Sequence, residues 1–385
     1  MRALPAGARA REAQLCTASG NLKPDGRRRV TADPTPSDPV AWLASLSPWP
    51  KDGFGTERMR ALLAALGNPE RGYPAIHVVG SKGKSTATVT IEQLLLSEGL
   101  VVGATVSPHV RGWADRIRLD GEPADLPAAL ERIRPDAQRL GATQFESITA
   151  AALAAFAAAR VDVAVVEAGL GGRLDATNVL GTRVVLLTNV GLEHTDVLGE
   201  TVEAIAREKL AVVHDDDTVV VLPDDTFAPL LPRGRIVIGG AREAAEAFLG
   251  RPIAAEVVVA LPGRLELREG EVRDGAHTPD AVTWLLERIP AAEYTVCASI
   301  LADKDVDEIL RRLAAFSTRF VATSSRNERS LAAPVLAEHA RAHFPLVEVV
   351  ADPAAAVLRA HELGDPVLVT GSLYLLADLE AVSRP

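Results

Sequence analysis

Short, continuous runs of apolar and mostly β-branched residues recur along the chain at 76–79, 101–106, 161–166 and 183–190. Weaker runs follow at 218–222 and 235–238, and from residue 261 a second rhythm places runs at 293–298, 319–322, 346–350 and 366–370. Runs without polar alternation predict strands buried on both faces, the habit of parallel sheets. Between them, apolar positions repeat at helical spacing. A broken helix is predicted over 40–66, carrying Trp42, Leu43, Leu46 and Trp49 and then Met59, Leu62, Leu63 and Leu66. Further helices are predicted at 84–98, 127–140, 145–160, 201–209 and 242–249, the one over 145–160 with a small-residue stripe suited to lying flat on a sheet. Strands alternating with helices predict an α/β chain. The expected layout is a mostly parallel sheet with helices on both faces over 39–260, then a smaller C-terminal α/β domain over 261–385.

The first strand runs into Gly80-Ser81-Lys82-Gly83-Lys84-Ser85-Thr86 and then into a helical pattern with Ile91, Leu94 and Leu95 on one face. A strand, a glycine-rich turn and a helix N-terminus hold phosphate, because free backbone N–H groups and the helix dipole face the anion and a lysine adds full charge. The eight-residue Walker A pattern would need glycine where Val78 stands, so the loop is the shorter G-x-x-G-K-S-T.

Composition narrows the partners. The chain has 385 residues, 48% of them hydrophobic, and a net charge of −10, which disfavours nucleic acid and anionic membranes. Its two cysteines, Cys16 and Cys297, are too few for a disulfide framework or a cysteine metal cage, so a cytoplasmic protein is expected. Residues 1–38 are rich in arginine, proline and glycine and read as a disordered basic tail or a start codon placed too early.

In open parallel sheets, ligands bind beyond the carboxyl ends of the strands. Lys84, Ser107, Glu167 and His194 follow the first four strong strand runs and so fall there. A carboxylate after the buried 161–166 run needs a partner. Arg173 would serve, and so would a magnesium ion bridging nucleotide phosphates. His194 by its chemistry alone is as well read as a structural residue, since nitrogen is not magnesium's preferred donor. Ser107, followed by proline, is equally a turn.

The set IHVVGSKGKST, VSPHV, FESIT, VVEAGLGGRLDATN, GLEHTDVLG, AREK, LPGRLE, DGAHTP and TGSLYL resembles the folylpolyglutamate synthase and dihydrofolate synthase family, a branch of the Mur-type ATP-dependent ligases. The motifs run in family order from about Trp42 to Leu379. The resemblance implies a Mur-ligase-like P-loop ATPase domain followed by the smaller domain. It implies that Gly80, Ser81, Lys82, Gly83, Lys84, Ser85 and Thr86 cradle ATP, and that Ser107, Glu167 and His194 hold Mg2+. It implies that Lys209 is carbamylated, and that Lys84, His194 and Lys209 are catalytic. Arg264, Asp274 and His277 would reach the nucleotide from the second domain, and Arg116, Phe145 and Glu146 would meet the pterin-side substrate. The reaction implied joins glutamate to dihydropteroate or a reduced folate through an acyl phosphate, in a monomer. A Mur-type ligase for another acid, or a non-catalytic nucleotide- or folate-binding paralogue, is the alternative.

Against the family pattern, Ser85 replaces a glycine, Lys82 replaces an asparagine, and Thr278 stands where DGAHNP has asparagine. The segment between Lys209 and Leu261 is also much shorter than usual, which predicts a shortened sheet.

Overall fold

The computed structural model describes residues 36–51, 53–231 and 233–382, so all but the end of the expected basic tail lies outside the described residues. The large sheet holds eight strands: β1 (Ala75–Val79), β2 (Val102–Thr105), β3 (Ile117–Leu119), β4 (Glu122–Pro123), β5 (Val163–Glu167), β6 (Thr182–Leu187), β7 (Val219–Leu222) and β8 (Arg235–Ile238). Their order is β4-β3-β2-β5-β1-β6-β7-β8, parallel from β2 to β8 and antiparallel only for the β2–β3–β4 edge. Every residue of β1, β5 and β7 is buried, as their unbroken apolar runs require.

Two layers of helices cover this sheet. On one side Leu126–Leu140 and Gln144–Ala159 form a core with Trp42, Leu43 and Leu62, into which Phe156, Ala164 and Val166 pack. On the other, Ile91, Leu94 and Leu95 of helix Lys84–Ser97 meet Val78, Val165 and Leu186. The shortened segment still contributes here. Ala244, Ala245 and Phe248 of helix Ala241–Leu249 are buried against Val184, Leu186 and Val221, and the sheet stops at β8.

The small sheet adds β9 (Glu266–Arg268), β10 (Glu271–Arg273), β11 (Thr295–Ala298), β12 (Arg319–Ala322), β13 (Leu346–Val349) and β14 (Val367–Thr370) in the order β13-β12-β11-β14-β10-β9. It too is parallel, except for the β9–β10 pair. The antiparallel strands β3, β4, β9 and β10 are two or three residues long, too short for sequence periodicity to reveal. No helix among the described residues is long and apolar enough to cross a membrane.

Candidate functional site

β1 lies between β5 and β6, with Val78 level with Glu167 and Val79 level with Leu187. This is a switch point of the sheet, where a crevice opens beyond the strand ends. The phosphate loop fills it, held by the end of β6. Ser81 N–H donates to Asn189 O at 3.0 Å and Lys82 N–H to Asn189 Oδ1 at 2.9 Å. Thr188 Oγ1 donates to Lys82 O at 2.7 Å, and Ser81 Oγ accepts from Gly191 N–H at 3.0 Å. Gly80, at φ 146°, is required: a Cβ there would overlap Thr188 Oγ1. Gly83, at φ 76°, then turns the chain into helix Lys84–Ser97, whose start has no side-chain cap, so its first N–H groups face the crevice.

Lys84 Nζ folds back to donate to Gly80 O at 2.9 Å. The same carbonyl accepts from Lys209 Nζ at 3.0 Å. Lys209 is only 1% exposed and also pairs with Glu193 Oε1 at 2.7 Å. The carboxylates nearer in sequence, Glu203 and Glu208, pair instead with Arg207 and Arg173. Burial pulls the Lys209 amine below its ordinary range, with Glu193 opposing and Lys84 assisting. Glu193 sits below the usual carboxylate range: burial pushes it up, but Lys209 and Lys84 outweigh that.

Glu167, at the end of β5, is 4% exposed. Its Oε1 accepts from Ser85 Oγ at 3.0 Å and its Oε2 from Ser107 N–H at 2.8 Å. Burial raises its pKa, against the charges of Lys84 and Arg264 and the two hydrogen bonds. Arg173 is not its partner, being exposed and bonded to Glu208 at 3.0 Å. Each carboxylate oxygen keeps a lone pair, beside the hydroxyl of Ser85. This donor set fits a hard, oxygen-seeking divalent cation that completes its shell with phosphate oxygens and water. Among the described residues no cluster of three or more His, Cys, Asp or Glu side chains could hold a metal alone. His194, at φ 45°, opens the short turn Thr195–Leu198. Burial lowers its pKa, leaving the ring neutral, with Glu193 opposing and Lys304 assisting.

Lys304 belongs to the small sheet's side and its charge also reaches His277. The charge of Arg264 reaches both Glu167 and Asp274. The Asp274 carboxylate is committed to backbone, accepting from Leu265 N–H at 2.7 Å and Ala276 N–H at 2.8 Å, so it fixes the turn that carries Arg264. His277 Nδ1 donates to Gly275 O at 2.8 Å, which leaves Nε2 as an acceptor, and burial holds the ring neutral.

Arg116 Nε donates to His109 Nδ1 at 3.0 Å and its guanidinium lies 4.6 Å from the Trp113 ring centre. Burial lowers its pKa to about 10, with Glu167 and Tyr374 opposing. The Phe145 ring occupies the space a side chain on Gly169 would need. Glu146 is engaged as a helix cap, its Oε2 accepting from the Thr143 amide and hydroxyl, both at 2.8 Å, and from Arg58 at 3.3 Å. Asn189, Glu193 and Lys304 are the residues that sequence reasoning passed over. The first two lie in the stretch after β6, beside the already suspect His194.

Two lysines, an uncapped helix start and a buried carboxylate around one crevice suit transfer of a phosphoryl group, in which charge must be neutralised at several oxygens together. The Mur ligase middle domain matches residues 78–235, and the Mur ligase glutamate ligase domain matches 263–373. Over 417 aligned positions the chain is 31% identical to the folylpolyglutamate synthase of Lacticaseibacillus casei, spanning 88% of this chain and 96% of that relative. The chain belongs to the folylpolyglutamate synthase/dihydrofolate synthase family. Among solved members, Escherichia coli FolC in complex with DHPP and ADP is 25% identical, with a TM-score of 0.78 over 89% of this chain and 97% of that one. A bifunctional folylpolyglutamate synthase/dihydrofolate synthase with Mn, AMPPNP and L-glutamate bound is 27% identical, with a TM-score of 0.78 over 91% and 99%. The family thus accounts for both sheets, and the chain is an ATP-dependent glutamate ligase.

Proposed function

We propose that the chain joins glutamate to the carboxyl group of a pteroate or reduced folate, by way of an acyl phosphate made at the crevice beyond β1. The observation that carries this reading is the convergence of Lys84 and Lys209 on Gly80 O, within reach of the helix start and Glu167. A carboxylate does not accept an amine until one of its oxygens is made a leaving group. In the first step that oxygen attacks the γ-phosphorus and ADP departs. The glutamate amine, having lost a proton, then attacks the acyl carbon, and phosphate leaves with the electron pair of the C–O bond.

Lys84 and the N–H groups of residues 84–86 hold the transferring phosphoryl group, as their placement at the loop allows. Glu167, Ser107 and His194 are the protein's donors for Mg2+, which when bound supplies further charge neutralisation at the phosphate oxygens. Arg264 and His277 approach from the small sheet's side, where a nucleotide would be closed over. Arg116, on its Trp113 and His109 seat, faces the acid substrate, with Phe145 behind the β5 loop and Glu146 fixing the start of its helix.

Lys209 suits carbamylation. Only a neutral amine adds carbon dioxide, and burial together with Lys84 favours the neutral form. The carbamate would form with release of a proton and stand beside Glu193 as a second anion, so that a cation would be needed there in place of the lost ammonium.

The test is product formation. Protein incubated with ATP, Mg2+, glutamate and either dihydropteroate or tetrahydrofolate should release phosphate and give an acid heavier by one glutamyl residue. Phosphate release that depends on neither acid would remove the folate assignment and leave a ligase for another acid.

A further inference from the structure

The stretch from Ser107 to Arg116 leaves the large sheet beside Glu167 and returns to it at β3. Between those ends it reaches across to the small sheet's side. Val110 is buried in an apolar cluster whose other members, among them Val369, Leu373, Leu375, Leu376 and Leu379, all come from beyond residue 290. Its socket is closed by the turn that carries Arg264. Gly263, at φ 67°, lies so close that a Cβ there would stand 2.7 Å from Leu376, 3.3 Å from Val110 and 3.4 Å from Leu373.

The next residue adds a charge contact. Arg111 Nε lies 3.6 Å from Glu380 Oε2, while the Arg111 amide donates to Asp115 Oδ2 at 3.0 Å and closes the loop on itself. Glu380 is 13% exposed and is also held by Arg268 at 2.5 Å and Arg273 at 3.3 Å, so its position is fixed from the small sheet. Leu373, Leu376 and Glu380 share one face of helix Leu373–Val382, at helical spacing. Tyr374 of the same helix lies within electrostatic reach of Arg116. A loop that only had to place Ser107 and Arg116 would need none of these contacts.

We propose that Val110 and Arg111 are positioning residues: they plug the Ser107–Arg116 loop into helix Leu373–Val382, so that Arg116 takes its place at the acid site only when the small sheet's body is seated. The acid site and the small sheet's body are thereby coupled through one helix. This rests on the assignment of Arg116 to the acid substrate made above.

The experiment uses the full chain with Val110→Ala, Arg111→Met and Arg111→Lys. The Arg111 contact is a single ion pair at 3.6 Å and not a bidentate one, so charge is what lysine must preserve. Hydrogen exchange of segments 107–116 and 373–382 should quicken together in Val110→Ala and Arg111→Met. The KM for the acid should rise by about tenfold in Val110→Ala, the effect of losing one modest buried contact, and by up to about fivefold in Arg111→Met, whose ion pair is half exposed. ADP affinity by calorimetry should stay within about twofold, and Arg111→Lys should recover most of the lost acid affinity. Unchanged exchange in both segments, equal rises in the KM for ATP and acid, or a lysine variant as impaired as the methionine one would each overturn the proposal. Absence of acid-dependent turnover in the unaltered protein would instead count against the acid assignment, while the exchange comparison would still decide whether the plug exists.

Discussion

Lys84 and Lys209 donate to one acceptor, the carbonyl oxygen of Gly80, at 2.9 and 3.0 Å. Their ammonium groups are therefore no more than about 6 Å apart, where two like charges repel by about 3 kcal/mol at an effective dielectric constant near 20. Glu193 and Glu167 offset part of this, and a bound polyphosphate would offset more. The loop is held ready for negative charge.

Lys84→Ala should therefore cost activity without costing the fold. Removing one preorganised cation from a phosphoryl-transfer site is expected to lower kcat by roughly 100- to 1,000-fold. The melting temperature should change little, because Lys209 is relieved of a like charge while Glu167 and Glu193 lose a counter-charge. Steady-state kinetics and calorimetry on the same preparation check both halves.

Glu167→Gln separates metal binding from stability. The native carboxylate has its pKa raised by burial, so ionising it opposes folding, and the penalty grows as pH rises from 4.5 through the raised value. A neutral amide avoids this and can still accept from Ser107 N–H. Without divalent cations the variant should melt higher than the native chain at pH 8 and show less advantage at pH 5. Added Mg2+ and ADP should stabilise the native chain and leave the variant unchanged.

Lys209→Arg keeps a positive charge that Glu193 can pair with, but a guanidinium cannot be carbamylated. A drop in kcat of roughly 100-fold or more is expected if the carbamate is the working form. Intact-mass measurement of the native chain, with and without bicarbonate, should show the mass of one carbon dioxide on the peptide holding Lys209. Full activity in the arginine variant would leave Lys209 as an ion-pair partner only.

His109 gives a pH prediction with a definite sign. Burial and the neighbouring Arg116 hold its folded pKa down to about 4, from an ordinary 6.5. Between those values the unfolded chain binds the proton and the folded chain does not. Stability is thus fully present above 6.5 and falls as pH drops towards 4. His77, buried beside Thr177 and also held neutral, adds to the same slope. His109→Gln, which can still accept from Arg116, should flatten the pH dependence of urea unfolding without abolishing it.

Much of this was legible from residue order. Unbroken apolar runs marked β1, β5 and β6, and the strand-end rule put Lys84, Ser107, Glu167 and His194 at or beyond the carboxyl ends of β1, β2, β5 and β6, where the structure has them. The pairing of charges was not legible. Nothing local tells that Lys209 turns inward to Gly80 and Glu193, when Glu208 and Glu203 are nearer in sequence. Arg173 likewise meets Glu208, because the loop after β5 passes over helix Val202–Leu210. Lys304 reaches the site only through tertiary packing. The role of Glu146 had a local signal, since Thr143-x-x-Glu146 is a capping box, and a helix-terminus reading of the sequence finds it.

The central claim is that ATP makes an acyl phosphate of the acid. It is tested most directly with an acid substrate whose carboxyl group carries oxygen-18, incubated with the native chain, ATP, Mg2+ and glutamate. The account predicts that one labelled oxygen passes from the carboxyl group into each inorganic phosphate released, in step with amide formation. Unlabelled phosphate accompanying the amide product would contradict it.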